Sequence, residues 1–257
     1  MLTPPNGRRK GILEQIARRV MKERGFLPDF SSAALNELEK MRQVDWGAES
    51  PMKDLRQLLW ASIDNDDSLD LDQLTVAETL SDKTVKILVA VADVDVLVKK
   101  NSAIDEHARQ NTTSIYTAGK IFPMLPEKLS TDLTSLNDHE DRSAVVVEMV
   151  IGDAGDMNSS DVYRALVRNH AKLVYNSVDA WLEGRGPLPE AVAAVPGLAE
   201  NLRIQDRVAQ RLKALRYEHV PLDLQTLEAR PVFAGEEIRD LRLDERNGAK
   251  ENIEDFI

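Results

Sequence analysis

The sequence predicts an α+β fold, a mixed and mostly antiparallel sheet with helices, preceded by a small helical domain. Two observations carry this prediction. Near the start of the chain, apolar residues recur at four-residue spacing, as on one face of a helix. From about residue 55 they come instead in short apolar runs bounded by Asp, Asn, Ser or Lys, which is typical of strands joined by turns. The sequence contains no internal repeat, which excludes a repeat architecture.

Residues 1–46 are predicted to form the helical domain, with helices over 10–24 and 31–43. Ile, Ile and Val at four-residue spacing support the first helix, and two serines that can cap a helix precede the second. A helix-turn-helix and a simple helical pair both remain open, because helical pairs are common. Residues 47–257 are predicted to form the larger domain.

The first helix is strongly basic. The first 24 residues hold seven Lys or Arg against two Glu, about +5, although the whole chain carries a net charge of -11. A basic arm on an acidic body can still attract phosphate, so contact with nucleic acid is one interpretation of this helix. A solvated helix face is the other.

The larger domain is predicted to alternate strands with helices. Its elements are strands at 55–63, 74–77 and 85–92, a hairpin of 144–151 with 162–167 across a long turn, helices at 103–110, 126–133, 175–183 and 198–217, a loop at 184–197, a second hairpin at 232–243 about Gly235, and a helix at 246–257.

Composition excludes several classes of protein. The 257 residues include no Cys, which excludes disulfides, thiolate metal sites and cysteine nucleophiles and fits a reducing compartment. The four His residues lie far apart and show no metal-binding spacing. No apolar run is long enough to span a bilayer, and the start of the chain lacks the apolar core of a signal peptide. The prediction is a soluble cytoplasmic protein with no membrane partner.

An acidic cluster is the main chemical feature. Five Asp fall within nine residues, from Asp64 to Asp72. Their mutual repulsion is costly without a cation, and their oxygens are the ligands that Mg²⁺ or Mn²⁺ prefers. In an extended segment Asp70 and Asp72 point the same way. A Ca²⁺-binding EF-hand loop is excluded because Leu69 and Thr75 stand where it needs Gly and Glu. A solvated turn remains the alternative to a metal site.

A series of short motifs spans most of the larger domain. They are Asp54-Leu55-Arg56, Ser62-Ile63-Asp64, Asp70-Leu71-Asp72, Ala92-Asp93-Val94, the segment from Phe122 to Ser130, Ser135-Leu136-Asn137, Asp141-Arg142-Ser143, Val147-Glu148-Met149, the segment from Ala171 to Tyr175, and that from Arg246 to Lys250. In order and spacing this series resembles the catalytic (RNB) domain of the ribonuclease II and R family, over roughly residues 52 to 257.

The resemblance implies a Mg²⁺-dependent 3'-to-5' exoribonuclease, with Mn²⁺ as an alternative cation, that hydrolyses single-stranded RNA to nucleoside 5'-monophosphates. It makes Asp64, Asp70 and Asp72 the catalytic and metal-binding residues, with Asp72 the most rate-sensitive. Gln73 completes the expected metal set, but it stands where the family usually has a fourth aspartate. An amide supplies an oxygen without a charge, so a catalytically defective RNA-binding or interaction module is the alternative.

The resemblance also implies RNA-binding residues. Tyr116 matches an aromatic residue that stacks on a base near the 3' end of the RNA, and Tyr175 matches another RNA-contacting position. Packing in the core is the alternative for both tyrosines. Arg142 and Lys172 are expected to face phosphates, with an ordinary surface role as the alternative.

The family also predicts parts that this sequence lacks. Its members usually carry OB-fold RNA-binding domains on both sides of the catalytic domain, whereas residues 1–46 are predicted to be helical. The sequence stops at Ile257, within a predicted helix, so we expect the catalytic domain to be incomplete at its C-terminal end.

Overall fold

A computed structural model describes residues 7–43, 52–81, 83–117, 119–219, 229–234, 237–243 and 256. The helices are α1 (Gly7–Glu23), α2 (Ser32–Lys40), α3 (Ala103–Asn111), α4 (Tyr175–Leu182), α5 (Glu190–Ala193) and α6 (Leu198–His219). The strands are β1 (Lys53–Asp54), β2 (Ala61–Asp64), β3 (Gln73–Ser81), β4 (Thr84–Ala92), β5 (Ile115–Tyr116), β6 (Ile121–Phe122), β7 (Asp141–Ile151), β8 (Met157–Arg168), β9 (Ala171–Val174), β10 (Ala229–Ala234) and β11 (Glu237–Leu243). No described helix is both long and apolar enough to cross a membrane.

The chain forms two compact units. The first consists of residues 1–42, 97–128 and 224–245, and the second of residues 43–96, 129–223 and 246–257. The first unit therefore joins the N-terminal helices to a segment from the middle of the chain, a grouping that the sequence pattern did not indicate. The division into domains after residue 46 stays a prediction.

The second unit contains a seven-stranded sheet in the order β1-β8-β7-β4-β3-β2-β9. The four central pairings are antiparallel. The two outer pairings, β1 with β8 and β2 with β9, are parallel. This arrangement confirms the predicted α+β fold with a mixed, mostly antiparallel sheet.

Both faces of this sheet are covered. Alternate residues of β3 and β4 point to opposite faces, so Val76 and Leu88 pack with Trp60 while Ala77 and Ile87 pack on the other side. Val208 and Ala209 of α6 cover this second face. A third apolar cluster joins β2 and β9 to α4, α5 and α6. The strand that ends at Asp64 is thereby buried on both sides.

Helix α6 also completes the hydrogen bonding of β3. Ala77 of β3 lies past Ala61, the first residue of β2, and so has no strand partner on that side. Its backbone N–H donates to Asn201 Oδ1 at 3.0 Å, and Asn201 Nδ2 donates to its carbonyl at 2.7 Å. Gln205 Nε2 supports the same amide oxygen at 2.9 Å. The Asn201 side chain therefore takes the place of a neighbouring strand.

The first unit is built around α2 and α3. Both carboxylate oxygens of Glu37 on α2 accept from the start of α3, from the N–H groups of Ala103 at 2.9 Å and Ile104 at 3.2 Å. A carboxylate at a helix N-terminus satisfies donors that have no partner within the helix. At the other end of α3, the buried Asn111 exchanges two hydrogen bonds with the backbone of Leu27. The small helical region predicted before the sheet is therefore present.

Three predicted elements differ from the structure. The strand predicted at 55–63 is confined to β2, because residues 55–60 turn to bury Trp60, whose Nε1 donates to Leu55 O at 2.8 Å. The helix predicted at 126–133 is a single wide turn of π-helix, Lys128–Leu133. The long turn predicted before 162–167 is short, because residues 157–161 already belong to exposed β8.

The other predicted elements agree closely with the structure. The predicted helices at 10–24, 31–43, 103–110, 175–183 and 198–217 correspond to α1, α2, α3, α4 and α6, and the hairpin at 232–243 to β10 and β11. Within the loop predicted at 184–197 lies the short helix α5. The helix predicted at 246–257 lies outside the described residues apart from Phe256, and so does Gly235.

Candidate functional site

Asp64 occupies the last position of β2, which lies between β3 and β9. The chain turns immediately after it. Asp64 Oδ1 accepts from the backbone N–H of Asn65 at 2.9 Å and from Ser68 Oγ at 2.6 Å. A carboxylate that bonds to the backbone and side chains just after it stabilises a turn. The local sequence therefore holds Asp64 in place through one of its two oxygens.

The segment that carries Asp70 and Asp72 is anchored through the residue between them. Leu71 is buried in the core, its N–H donates to Ser135 Oγ at 3.0 Å, and its carbonyl accepts from Leu136 N at 2.7 Å. Asp70 and Asp72 are both exposed on either side of it. The exposure of both residues is compatible with the common orientation that the two-residue spacing predicts, which stays a prediction, and the Ser-Leu-Asn motif supplies the anchor.

Two further contacts hold this acidic loop, which we define as residues 64–73. Lys172 on β9 donates from Nζ to Ser68 O at 2.5 Å. At the far end, Ala92 N donates to Asp72 O at 2.9 Å. Gln73 is the first residue of β3, pairs with Val91 and is half-buried. The loop is therefore tied to β4 and β9 as well as to Ser135.

Behind the loop lies a buried polar support centred on Asn169. Its Nδ2 donates to Ser62 Oγ and to Leu136 O, both at 3.0 Å, and its Oδ1 accepts from Ala171 N at 3.2 Å. One side chain thus joins β2, the segment that anchors Leu71, and β9. Sequence reasoning missed Asn169, because a single Asn between two strands carries no local signal beyond a turn.

The three predicted catalytic carboxylates interact electrostatically. The pKa of Asp72 is raised above its ordinary value, first by burial among neighbouring protein atoms and then by the negative charges of Asp64 and, more weakly, Asp70. A backbone hydrogen bond opposes this rise. Asp72 nevertheless remains accessible to solvent. The structure therefore brings the three residues near enough for their charges to repel one another.

Burial and this repulsion both disfavour the ionised form of Asp72, which predicts that Asp72→Asn stabilises the fold. A raised pKa means that the folded chain keeps this proton to a higher pH than the unfolded chain, so stability is lost as pH rises above the ordinary Asp value of 3.8. At pH 7 in the presence of a chelator, we expect Asp72→Asn to require more urea for unfolding than the wild-type chain. The difference should shrink as pH falls towards 4.

The matched control for this measurement is Asp161→Asn. Asp161 is exposed on β8 and accepts only a local hydrogen bond from Val162 N among its described contacts. This variant removes the same charge without relieving the acidic loop, so its urea midpoint should stay near that of the wild-type chain. Equal midpoints for Asp72→Asn and wild type at pH 7 would show that burial and repulsion of the ionised Asp72 carboxylate have no net energetic effect.

The acidic loop suits a divalent cation by its chemistry. Its donors are carboxylate oxygens with mutual repulsion that a cation relieves, and Gln73, which carries an amide oxygen, follows Asp72 in the sequence. Across the described ranges, however, no three His, Cys, Asp or Glu side chains are grouped as a metal site on their own. Mg²⁺ usually takes only one or two carboxylates and completes its shell with water and phosphate oxygens, so the residues fit this cation.

The predicted RNA-binding cations of this unit are both engaged within the protein. Arg142 is only 4% exposed, forms an ion pair with Glu140, and donates to the carbonyls of Asp132 and Asp141, each at 3.1 Å. Lys172 is half-buried and bonded to the acidic loop. These contacts give both residues structural roles, and their contact with RNA stays a prediction.

The two predicted RNA-binding tyrosines have different surroundings. Tyr175 begins α4 and is partly buried against the apolar cluster around β2 and β9, in agreement with the packing alternative. Tyr116 belongs to the first unit and is 69% exposed on the short hairpin of β5 and β6. A large aromatic side chain this exposed is poorly explained by packing.

Sequence reasoning did not single out the buried acidic residue Asp93. Asp93 is buried, accepts from Ser143 Oγ at 2.9 Å and pairs with Arg164 Nε at 2.9 Å. It directly follows β4, and Asp72 is bonded to Ala92, the last residue of that strand. The signal was available, since both Asp93 and Ser143 belong to the quoted motifs. Their contact supports the sheet end beside the acidic loop.

Comparison with known proteins identifies relatives of the chain. Residues 52–257 match the family model described as the RNB domain. Ribonuclease R of Vibrio parahaemolyticus is 35% identical over 221 residues, which cover 83% of this chain and 26% of that protein. Ribonuclease R of Escherichia coli K12 is 32% identical over 216 residues, which cover 84% of this chain and 26% of that protein. The chain spans about a quarter of the length of these curated relatives.

A solved structure shares the fold. Mycoplasma genitalium RNase R in complex with double-stranded RNA matches with a TM-score of 0.84 and 24% sequence identity, over 95% of this chain and 43% of that chain. At this identity the match concerns the fold alone. This fold match covers more of the chain than residues 52–257, which match the RNB family model.

Proposed function

Because the chain belongs to the RNB domain family, we propose that it is part of a metal-dependent 3'-to-5' exoribonuclease that hydrolyses single-stranded RNA to nucleoside 5'-monophosphates. The observation that carries this proposal is the acidic loop, in which burial first, and then the charges of Asp64 and Asp70, raise the pKa of Asp72. Repelling carboxylates that are accessible to solvent form a site for a cation and a phosphate. The cytoplasmic location predicted from the sequence belongs to the same proposal.

In this proposal Asp64, Asp70, Asp72 and Gln73 hold Mg²⁺, or alternatively Mn²⁺. Such a cation, when bound, lowers the pKa of a water molecule and stabilises negative charge on the phosphate oxygens. Asp72 contributes the carboxylate most sensitive to its surroundings, because its ionised form is disfavoured without a compensating positive charge. Its role is to bind the cation and to orient the attacking water.

The loop's anchors hold the Asp64 side chain and the backbone that carries Asp70 and Asp72. Asp64 is fixed by its turn, and Leu71 is fixed by Ser135 and Leu136 between the two exposed aspartates. Side chains that are already in place lose little entropy on binding substrate, which favours catalysis. Lys172 supplies a positive charge beside the loop through its bond to Ser68 O.

RNA is the proposed partner. One relative of this fold was solved in complex with RNA, which supports the proposal. Tyr116 would stack on a base, a contact worth about 1–3 kcal/mol that tolerates any sequence. Lys172, Arg142 and Tyr175 are retained as proposed contacts, although each is at least partly buried. The basic helix α1 is a further proposed contact with nucleic acid.

The test is release of nucleotides from RNA. We expect the chain with Mg²⁺ to release nucleoside 5'-monophosphates from a 5'-labelled single-stranded oligoribonucleotide that has a free 3' end, and a chelator to abolish the release. A substrate blocked at its 3' end is the control for direction, and products are resolved by electrophoresis and chromatography. No metal-dependent loss of RNA, even after the chain is extended to the length of its relatives, would contradict the proposal.

A catalytically defective RNA-binding module is the second candidate. It is favoured by Gln73, which supplies no charge, and by the absence of a three-residue metal group in the described residues. This candidate binds RNA in a salt-sensitive way, releases no nucleotides and is unaffected in binding by Asp72→Asn. Turnover gained by Gln73→Asp from an inactive chain would support it and would identify position 73 as the defect.

A further inference from the structure

The hairpin of β5 and β6 has two very different sides. Tyr116 pairs with Ile121, and both side chains are exposed. Ile115 pairs with Phe122, which is fully buried. Two strands of two residues each are too short to be stable alone, so the orientation of Tyr116 depends on what holds the buried side.

Helix α1 contacts this hairpin through charged groups. Glu14 Oε1 accepts from Lys120 Nζ at 3.2 Å and from Arg18 Nε at 3.0 Å. Both cations also lie over the ring of Phe122, at 5.8 Å and 5.7 Å from its centre. These two hydrogen bonds lower the pKa of Glu14, so its carboxylate stays ionised at neutral pH. Glu14 therefore links α1 to the hairpin through Lys120, and it also binds Arg18 of α1, the other cation that covers Phe122.

The backbone of the hairpin turn also meets α1. A Cβ atom on Gly119 would lie 2.9 Å from Glu14 N and 3.0 Å from Leu13 Cβ, so only glycine allows this approach. The turn itself is closed by Thr117, whose Oγ1 donates to Lys120 O at 2.6 Å and accepts from Lys120 N at 3.1 Å. Contact at Gly119 and the ion pair at Lys120 together fix one end of the hairpin against α1.

We infer that Glu14 is a positioning residue for RNA binding. Its carboxylate attaches the hairpin that presents Tyr116 to α1. This inference rests on the stacking role of Tyr116 in the proposed function. It gives the N-terminal helix a role in the orientation of an aromatic contact for a single-stranded nucleic acid. An ordinary surface ion pair would contribute little to stability and nothing to RNA binding.

The experiment is a double-mutant cycle on RNA affinity. Binding of a 5'-labelled single-stranded oligoribonucleotide is measured by fluorescence anisotropy with a chelator present, so that turnover plays no part. We expect Tyr116→Ala to weaken binding about ten-fold. Glu14→Gln should weaken it about three-fold, a part of the stacking contribution, and should have no further effect in the Tyr116→Ala chain.

Charge makes this test sharper. Loss of a negative charge should by itself strengthen the binding of an anionic strand, so a loss of affinity in Glu14→Gln cannot arise from charge alone. Glu23→Gln is the matched control, since Glu23 lies on the same helix and pairs at 3.6 Å only with the exposed Arg19 among its described contacts. We expect Glu23→Gln to bind RNA as tightly as the wild-type chain or more tightly.

A second variant and a folding check complete the design. Gly119→Ala forces the hairpin away from α1 and should give the same Tyr116-dependent loss of affinity, with thermal unfolding showing that both variants remain folded. Undiminished binding by Glu14→Gln, or an equal loss with and without Tyr116, overturns the inference. So does a Tyr116→Ala chain that binds like wild type. Each result leaves the nuclease proposal to be decided separately by nucleotide release.

Discussion

Asp72→Asn is expected to lower the rate of nucleoside 5'-monophosphate release by about a thousand-fold or more, because loss of a metal-binding carboxylate removes several kcal/mol of transition-state stabilisation. The substitution keeps the shape of the side chain and the surrounding hydrogen bonds, including that from Ala92 N to Asp72 O. Rates are measured under single-turnover conditions with saturating Mg²⁺. RNA affinity, measured in parallel with a chelator, should be unchanged or higher, because a negative charge is lost.

Asp161→Asn is again the matched control, because it removes the same charge from an exposed strand of the same sheet. It should retain the wild-type rate. Comparable rates for Asp72→Asn and Asp161→Asn would remove Asp72 from the reaction. Together with the expected gain in stability, a large loss of rate would mean that Asp72 is held in an unfavourable environment because the reaction needs it there.

Trp60→Ala is expected to lower the free energy of unfolding by about 3–5 kcal/mol, the usual cost of truncating a large buried aromatic residue. Trp60 is 0% exposed and packs in the cluster that includes Leu71. Its Nε1 also donates to Leu55 O, and its carbonyl accepts from His170 N at 2.9 Å. Urea unfolding followed by circular dichroism measures the change.

The matched control is Trp181→Ala, which truncates the same kind of side chain where it is only partly buried on α4. Its cost should be clearly smaller, although it also loses the contact with Arg203. Equal losses for the two variants would mean that burial at Trp60 does not determine stability. Since Trp60 directly precedes β2, Trp60→Ala should also weaken Mg²⁺-dependent nucleotide release at temperatures where the chain stays folded.

Strands and helices with a clear apolar period were predictable from the sequence. Val85 to Ala92 is a nearly continuous apolar run, as in a strand covered on both faces, and the long helix α6 follows the 3.6-residue period. The segment before Ala61 was not predictable as a turn. Its Leu and Trp residues form an apolar run, which is typical of a strand, but here the run turns and Trp60 is buried. Polar residues 157–161 suggested a turn because an exposed edge strand has the same composition.

The acidic loop was predictable in part. The spacing of Asp70 and Asp72 indicated a shared orientation, and both are exposed around buried Leu71. Two of the contacts that hold the loop come from residues more than 60 positions away, Ser135 and Lys172, and no local pattern reveals such pairings. The motif resemblance included both residues, but their hydrogen bonds required a structure.

The amide of Asn201 has a consequence for self-association. An open sheet edge is a template onto which another polypeptide can add, and repeated addition leads to aggregates. Next to Ala61, where β2 begins, Ala77 of β3 would offer such a template, but both of its backbone groups are already occupied by Asn201. A single side chain from α6 thus protects the interior of β3 from recruitment into intermolecular β-structure.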